Sequence, residues 1–257
     1  MAHHLFELPD GRHAGVTGLG DPRGRRLVVM CHPSPGAGAF DPDPPATSTT
    51  GVRIITLDRP GYGASDPLPD EADPLGAWLD DVDEYLQTVE NIAKSIAGTD
   101  FGAVGVIGWG VGAVYATALA ARRPGLVNRL ALIEPTGATR ARLRVAESQQ
   151  PLDARLEDAG ALQRYRGAPD RMGAMLDAGD VHSAGPQLDA RALRQPRWPD
   201  ALKSIAARTV IMSSDQSDGG WYRHRIHRAR SFGQWDDPAT TIVAAWKNVL
   251  RFFTSER

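Results

Sequence analysis

The chain has 257 residues, a length that fits one large domain or two small ones. Its 29 Lys and Arg against 31 Asp and Glu leave a formal net charge of -2, without the basic excess of a dedicated nucleic-acid binder. No apolar run approaches the roughly 20 residues that cross a bilayer, MAHHLFELPDGRH carries no basic or apolar leader region, and a single cysteine, Cys31, permits neither an internal disulfide nor a thiolate-rich zinc site. A cytoplasmic protein is expected, without nucleic acid, membrane or metal as partners.

In chain order, Phe6-Glu7-Leu8-Pro9-Asp10-Gly11-Arg12 reads as a hairpin leading into a sheet. Short apolar runs follow at 27–30 and 53–57, and their near-continuous apolar character is that of strands buried on both faces. Residues 75–96 place Leu75, Trp78, Leu79, Val82, Leu86 and Val89 at helical spacing, giving an amphipathic helix. A strand at 104–107 leads into residues 111–121, where Ala, Gly and Val occupy every side, as in a helix buried against a sheet. Further strands are expected at 130–133 and 209–212. Tyr222, Ile226 and Ala229 recur at helical spacing in a segment that also carries His224, His227 and several arginines, so a basic-faced surface helix is expected there. The chain closes on an amphipathic helix through Ile242, Trp246, Val249 and Phe253.

This alternation gives an α/β fold with a mostly parallel sheet and helices on both faces. One interval breaks the rhythm. Roughly seventy residues separate Ile133 from Thr209, far beyond ordinary loop length. Leu152, Leu156, Leu162, Tyr165, Met172, Met175, Leu188 and Trp198 make it too apolar for a solvated linker. It reads as a helical cap, approximately 137–207, inserted into a single domain spanning 1–257.

Four stretches bear on chemistry. The first is the strand, sharp turn and buried helix around Gly108-Trp109-Gly110-Val111-Gly112. The others are Cys31-His32-Pro33-Ser34-Pro35-Gly36, Leu57-Asp58-Arg59-Pro60-Gly61-Tyr62-Gly63-Ala64-Ser65 and Ile211-Met212-Ser213-Ser214-Asp215. Taken in their order along the chain, these stretches resemble the α/β-hydrolase superfamily. The first stretch is similar to its G-x-S-x-G nucleophile elbow, the second to the H-G-x-P-G loop after strand three, and the fourth to strand seven with its acid. The third is similar to the D-x-P-G-x-G-x-S turn after strand four, especially in relatives of the proline-iminopeptidase and epoxide-hydrolase type. A phosphate-cradling loop is the competing reading of the glycines, but the dinucleotide fingerprint G-x-G-x-x-G would need its third glycine one position later. No cofactor is implied.

The chain departs from the resembled pattern at two of three triad positions. Gly110 stands where the nucleophilic serine belongs and has no attacking atom. The elbow holds its central residue in a strained conformation, so glycine is what stability alone would select once the hydroxyl is not required. The resemblance implies an acid at Asp215, with Asp218 next in line, and a histidine after the last strand. There the chain reads Gly233-Gln234-Trp235-Asp236-Asp237, so Asp236 lies near an empty histidine position, and glutamine takes no proton near neutral pH.

The resemblance further implies an oxyanion hole from the Val111 and Ser34 amides, with His32 orienting the loop after strand three. Cys31 is expected to be a small core residue. The absence of a side chain at Gly110 is expected to leave room for a small ligand or a water. Together these readings imply a degenerate hydrolase, a pseudoenzyme that binds a small organic ligand. The alternative is an active atypical hydrolase or lyase working through a carboxylate and water, and a third is a scaffold whose useful surface is the cap or the arginine-bearing segment.

Overall fold

The computed structural model describes residues 2–97, 102–147, 152–153, 159–179 and 184–255. An eight-stranded sheet runs in the order β1-β2-β4-β3-β5-β6-β7-β8. The hairpin of β1 (Ala2–Glu7) and β2 (His13–Gly20) is antiparallel, and β2 pairs antiparallel with β4 (Val52–Leu57). From β4 onward every pairing is parallel, through β3 (Arg26–Cys31), β5 (Val104–Trp109), β6 (Val127–Ile133), β7 (Arg208–Met212) and β8 (Ala229–Ser231).

The central strands are apolar throughout because both of their faces are covered. Val29, Val106, Leu130 and Leu132 point to a cluster that includes Trp78 and Val82 of α2 (Pro74–Ala97) and Tyr115 and Leu119 of α3 (Gly112–Arg122). Their neighbours Val28, Met30, Ile107, Ala131 and Ile133 point the other way, toward Ile242, Trp246 and Val249 of α10 (Pro238–Thr254). The two-residue period of the strands thus splits one run of apolar residues into two cores. The start of α10 is fixed by Asp237, whose carboxylate accepts from the Ala239 amide, with Pro238 in the first turn. A short helix, α1 (Pro44–Thr49), precedes β4, and its Thr47 accepts from Trp246 Nε1 at 2.8 Å.

Between β6 and β7 the described residues form α4 (Arg140–Glu147), α5 (Ala159–Leu162), α6 (Ala168–Gly179), α7 (Ala184–Leu193) and α8 (Trp198–Ala201), followed by a 3-10 turn at Leu202–Ser204. Helix α7 packs on α2 and α4. Leu156 and His182 lie outside the described residues.

The segment expected as one helix over 221–232 divides in two. Helix α9 (Gln216–Arg223) stops at Arg223, His224 and His227 fall in turns, and Ala229–Ser231 becomes β8 beside β7. The helical spacing misleads because Tyr222 and Ile226 are both buried for different reasons, one on the helix and one in the turn after it.

Candidate functional site: the turn after β5

The site begins where β5 ends at Trp109 in the middle of the sheet and the chain must reverse into α3 within two residues. Gly110 makes that reversal at φ +58, in the left-handed region that other residues enter at a cost. Its N–H donates to Ile133 O at 3.1 Å, and its carbonyl accepts from Thr136 N at 3.0 Å, which ties the turn to the end of β6. The flanking glycines answer a different demand. A Cβ on Gly112 would lie 2.2 Å from Cys31 O, and one on Gly108 would lie 2.6 Å from Ala113 Cα. Helix α3 therefore starts in direct backbone contact with the end of β3, and Val111 N–H is aimed over that end.

The loop after β3 is held from beneath. His32 bonds through Nδ1 to Pro33 O at 2.9 Å and through Nε2 to the Arg59 amide at 3.1 Å. The second contact makes Nε2 an acceptor and places the proton on Nδ1. Burial, with Arg59 alongside, holds this imidazole well below its usual pKa, so His32 is neutral and both its nitrogens are engaged. Arg59 donates to His32 O at 2.5 Å, to Pro33 O at 3.0 Å, and through two nitrogens to Asp189 of α7 at 2.9 and 2.7 Å. Tyr62 donates to Asp189 Oδ2 at 2.7 Å and meets Ser34 Oγ at 2.8 Å. The hydroxyl of Ser34 is thus turned toward Tyr62, and its amide is left to face the turn.

That amide and the amide of Val111 converge on one atom. Asp153 Oδ2 accepts from Ser34 N at 2.9 Å and from Val111 N at 2.7 Å, and Asp153 Oδ1 accepts from Thr136 Oγ1 at 2.6 Å. Asp153 is 3% exposed. Burial pushes its carboxyl above the usual range, against the pull of Thr136 and of the two amides. A Cβ built on Gly110 would stand 2.2 Å from Asp153 Oδ2. The expected room for a water or ligand beside Gly110 is therefore absent: the carboxylate of a residue between β6 and β7 fills it. Sequence reasoning missed Asp153, which is 42 residues from Val111 and 119 from Ser34 and carries no local signature.

The other expected residues have partners or surroundings of their own. Asp215 caps α9, its Oδ1 accepting from the Ser217 and Asp218 amides, the commonest reason for an aspartate at that position. Asp218 is buried in an ion pair with Arg142 at 2.9 Å. Gln234 and Asp236 lie exposed on the loop before α10. Cys31 is fully buried, and burial pushes its thiol up to about 12, so it is an inert core residue. His224 bonds to Gly220 O and His13 faces Asp66, both at the surface.

Another buried carboxylate, Glu134, follows β6 directly. Its backbone sits at φ +43, and it accepts from Ser214 N at 2.7 Å, Ser214 Oγ at 3.0 Å and Thr241 Oγ1 at 2.7 Å. It binds the ends of β6, β7 and the start of α10 together. Among the described residues no group of three or more His, Cys, Asp or Glu could hold a metal ion, and no helix is long and apolar enough to cross a membrane.

An eight-stranded sheet in this order, two antiparallel strands leading a parallel series, with a glycine-flanked turn from β5 into a buried helix, defines the α/β-hydrolase fold. The Alpha/beta hydrolase family model matches residues 28–251, and the chain belongs to that family. Among curated proteins none matches the sequence. Solved structures share the fold at low identity. A hydrolase from Pseudomonas aeruginosa PA01 is 20% identical over 98% of both chains, with a TM-score of 0.74. An enol-lactonase from Burkholderia xenovorans LB400 is 17% identical over 98% of this chain and 100% of its own, with a TM-score of 0.71. An esterase from Exiguobacterium antarcticum is 17% identical over 97% of each chain, with a TM-score of 0.72.

Proposed function

We propose that the protein is a degenerate member of its family, one that has lost serine-hydrolase chemistry and takes a small organic ligand at the turn after β5 only where that ligand displaces the Asp153 carboxylate. The observation that carries this reading is the placement of Asp153. Its carboxylate takes up the Ser34 and Val111 amides, the pair that would stabilise an oxyanion in an acyl transfer, and it fills the space a nucleophile at Gly110 would need. Loss of the nucleophile or of the histidine alone costs such an enzyme on the order of a million-fold in rate. This chain has glycine at the first position and glutamine at the second, so no partial triad is left to act. In this reading residues 137–207 serve as the cap, and Asp215 and Asp236 have structural and surface roles.

The test is labelling with a fluorophosphonate probe alongside a panel of aryl esters. Neither wild type nor Gly110→Ser should label or turn over. Stoichiometric labelling of either protein at the turn would overturn the reading.

A second reading, an atypical hydrolase or lyase using a carboxylate and water, moves from Asp215 to Asp153. Its support is a buried carboxyl raised above the usual range, the kind of group that general bases require. Against it, both Asp153 oxygens already accept hydrogen bonds, which lowers their basicity. Turnover on lactones or epoxides that vanishes in Asp153→Asn would favour it.

A further inference from the structure

We infer that the cleft between the α5–α6 turn, the loop before α1 and the outer face of α10 binds a phosphomonoester with a flat apolar body. None of its residues takes part in the turn after β5, so the inference stands apart from the chemistry proposed there.

The cleft has a volume of about 730 Å³, within the range of small-molecule sites. Four cations line it, Arg164, Arg166, Arg171 and Lys247, against one acid, Asp43. The excess is local, since the whole chain has a net charge of -2. Asp43 is also poorly placed to neutralise it. Its Oδ1 caps α1 by accepting from the Ala46 amide at 3.2 Å, and its Oδ2 stands 3.8 Å from Lys247 Nζ, beyond hydrogen-bond range. Lys247 is 70% exposed, and Arg166 is exposed beside it in the lining.

The frame of the cleft is fixed while the charges at its mouth are left over. Arg171 donates through Nε to Asp41 O at 2.7 Å and through a terminal nitrogen to Pro42 O at 3.1 Å, which clamps the start of α6 onto the loop before α1. Arg164 donates to Thr240 Oγ1 at 3.1 Å and lies 5.3 Å from the centre of the Tyr165 ring, so it is held between the turn and α10. A guanidinium has five N–H donors, and Arg164 keeps several for an anion. Pro42, Pro44, Pro45, Tyr165, Val243 and Ala244 make up the rest of the lining. Their rings and short aliphatic groups offer a surface for a flat apolar body.

Cations at the mouth and an apolar floor together select an amphipathic anion. Three cations whose one acid is Asp43 suit a dianion better than a monoanion. A phosphomonoester, with a second pKa of about 6, carries two charges at pH 7.5. Its three terminal oxygens can accept from the Arg164 and Arg166 guanidinium groups and the Lys247 ammonium at once.

The experiment is an NMR titration of the 15N-labelled protein at pH 7.5 with phenyl phosphate, inorganic phosphate, benzoate and sodium chloride at matched ionic strength. Saturable shifts of the Arg166, Gly167 and Ala244 amides are expected, with phenyl phosphate at least fivefold tighter than inorganic phosphate or benzoate. The double variant Arg166→Gln/Lys247→Gln, changed only at exposed side chains, should weaken phenyl phosphate at least tenfold. Asp43→Asn keeps a capping side chain on α1 and removes the one acid, and should tighten it at least twofold. Phosphatidic acid in phosphatidylcholine vesicles presents the same monoester on a bilayer. Co-sedimentation that the double variant abolishes makes a lipid the source, and its absence beside phenyl phosphate binding makes the source a soluble molecule. No saturable response at those amides, a response equal to that of chloride, equal affinity for phenyl phosphate and benzoate, or an affinity unchanged in the double variant would overturn the inference.

Discussion

Ser34 and Asp153 hold each other at two points: the Ser34 amide donates to Asp153 Oδ2 at 2.9 Å, and the Asp153 amide donates to Ser34 O at 3.0 Å. This reciprocal clasp joins the loop after β3 to the segment between β6 and β7 directly over the glycine turn. The carboxylate is consequently part of the folded core and contributes to stability as well as blocking the site. Leu152, next to it, is buried in the same cluster as α3.

The first prediction concerns Gly110 and Asp153 together. Serine at 110 must adopt φ near +58, costing about 1–2 kcal/mol, and must also push Asp153 off its donors. Gly110→Ser is expected to destabilise the fold by about 2–4 kcal/mol in urea unfolding. In an Asp153→Ala background the same change should cost at least about 1 kcal/mol less, a coupling that a double-mutant cycle reads directly. Additive effects would mean that the two residues do not compete for one space.

A second prediction follows from the ion pair of Arg59 with Asp189, each side chain 1% exposed. Arg59 also lies over the rings of Tyr62 and Tyr115, at 5.0 and 4.8 Å, so its charge has no route to water. Asp189→Ala leaves that cation unpaired and is expected to cost about 3–5 kcal/mol. The urea midpoint measures the loss. Asp200→Ala, removing an exposed partner of Lys203, should change it by less than about 1 kcal/mol.

The third prediction is a pH dependence carried by Asp58, in the turn after β4. Burial pushes its carboxyl from 3.8 to about 6, although the Gly38 and Ala64 amides oppose the rise. A carboxyl raised in the fold takes up its proton before the unfolded chain does, so between about pH 4 and pH 6 the native state holds more protons. Stability therefore falls as pH rises through that window, by up to about 1.4 kcal/mol per pH unit from this group. Asp58→Asn removes the slope. Unfolding of wild type and variant at several pH values should give curves that lie closest below about pH 4 and separate as pH rises to about 6, the wild type losing stability relative to Asp58→Asn; a constant offset across that window would place the Asp58 pKa near its ordinary value.

The parts of the fold that could be read from sequence are those where burial dictates composition. Runs such as 104–107 and 130–133 are apolar on both sides because helices cover both faces. Strand β8 carries no apolar run for the opposite reason: Ala229, Arg230 and Ser231 pair on one side only, at the sheet's edge, so the resemblance implied a last strand there while the residue pattern alone suggested a helix. At the site, the glycine turn was legible because backbone geometry leaves a mark in Gly108, Gly110 and Gly112, and the Val111 and Ser34 amides followed from the family resemblance. The occupant was not. An aspartate reaching its partners across 119 residues obeys no periodicity, and Asp215 shows the converse, its position matching an acid while its carboxylate caps α9. Glu134 is similar, since nothing in a glutamate announces a positive φ.

That conformation gives the last prediction an unusual ordering. Glu134 is buried at φ +43, and its carboxylate satisfies the Ser214 amide, the Ser214 hydroxyl and the Thr241 hydroxyl. Side-chain hydrogen bonds therefore offset backbone strain at one residue. Glu134→Ala removes the bonds and retains the strain, and should cost about 2–4 kcal/mol through the donors left unpaired. Glu134→Gly removes both, because glycine enters the left-handed region freely. In a helix or strand interior glycine is the worse replacement by about 0.5–1 kcal/mol; here it should be the better one by about 1 kcal/mol. Thermal unfolding of the two variants checks the order, and alanine proving the more stable would show that the turn after β6 relaxes once its carboxylate is gone.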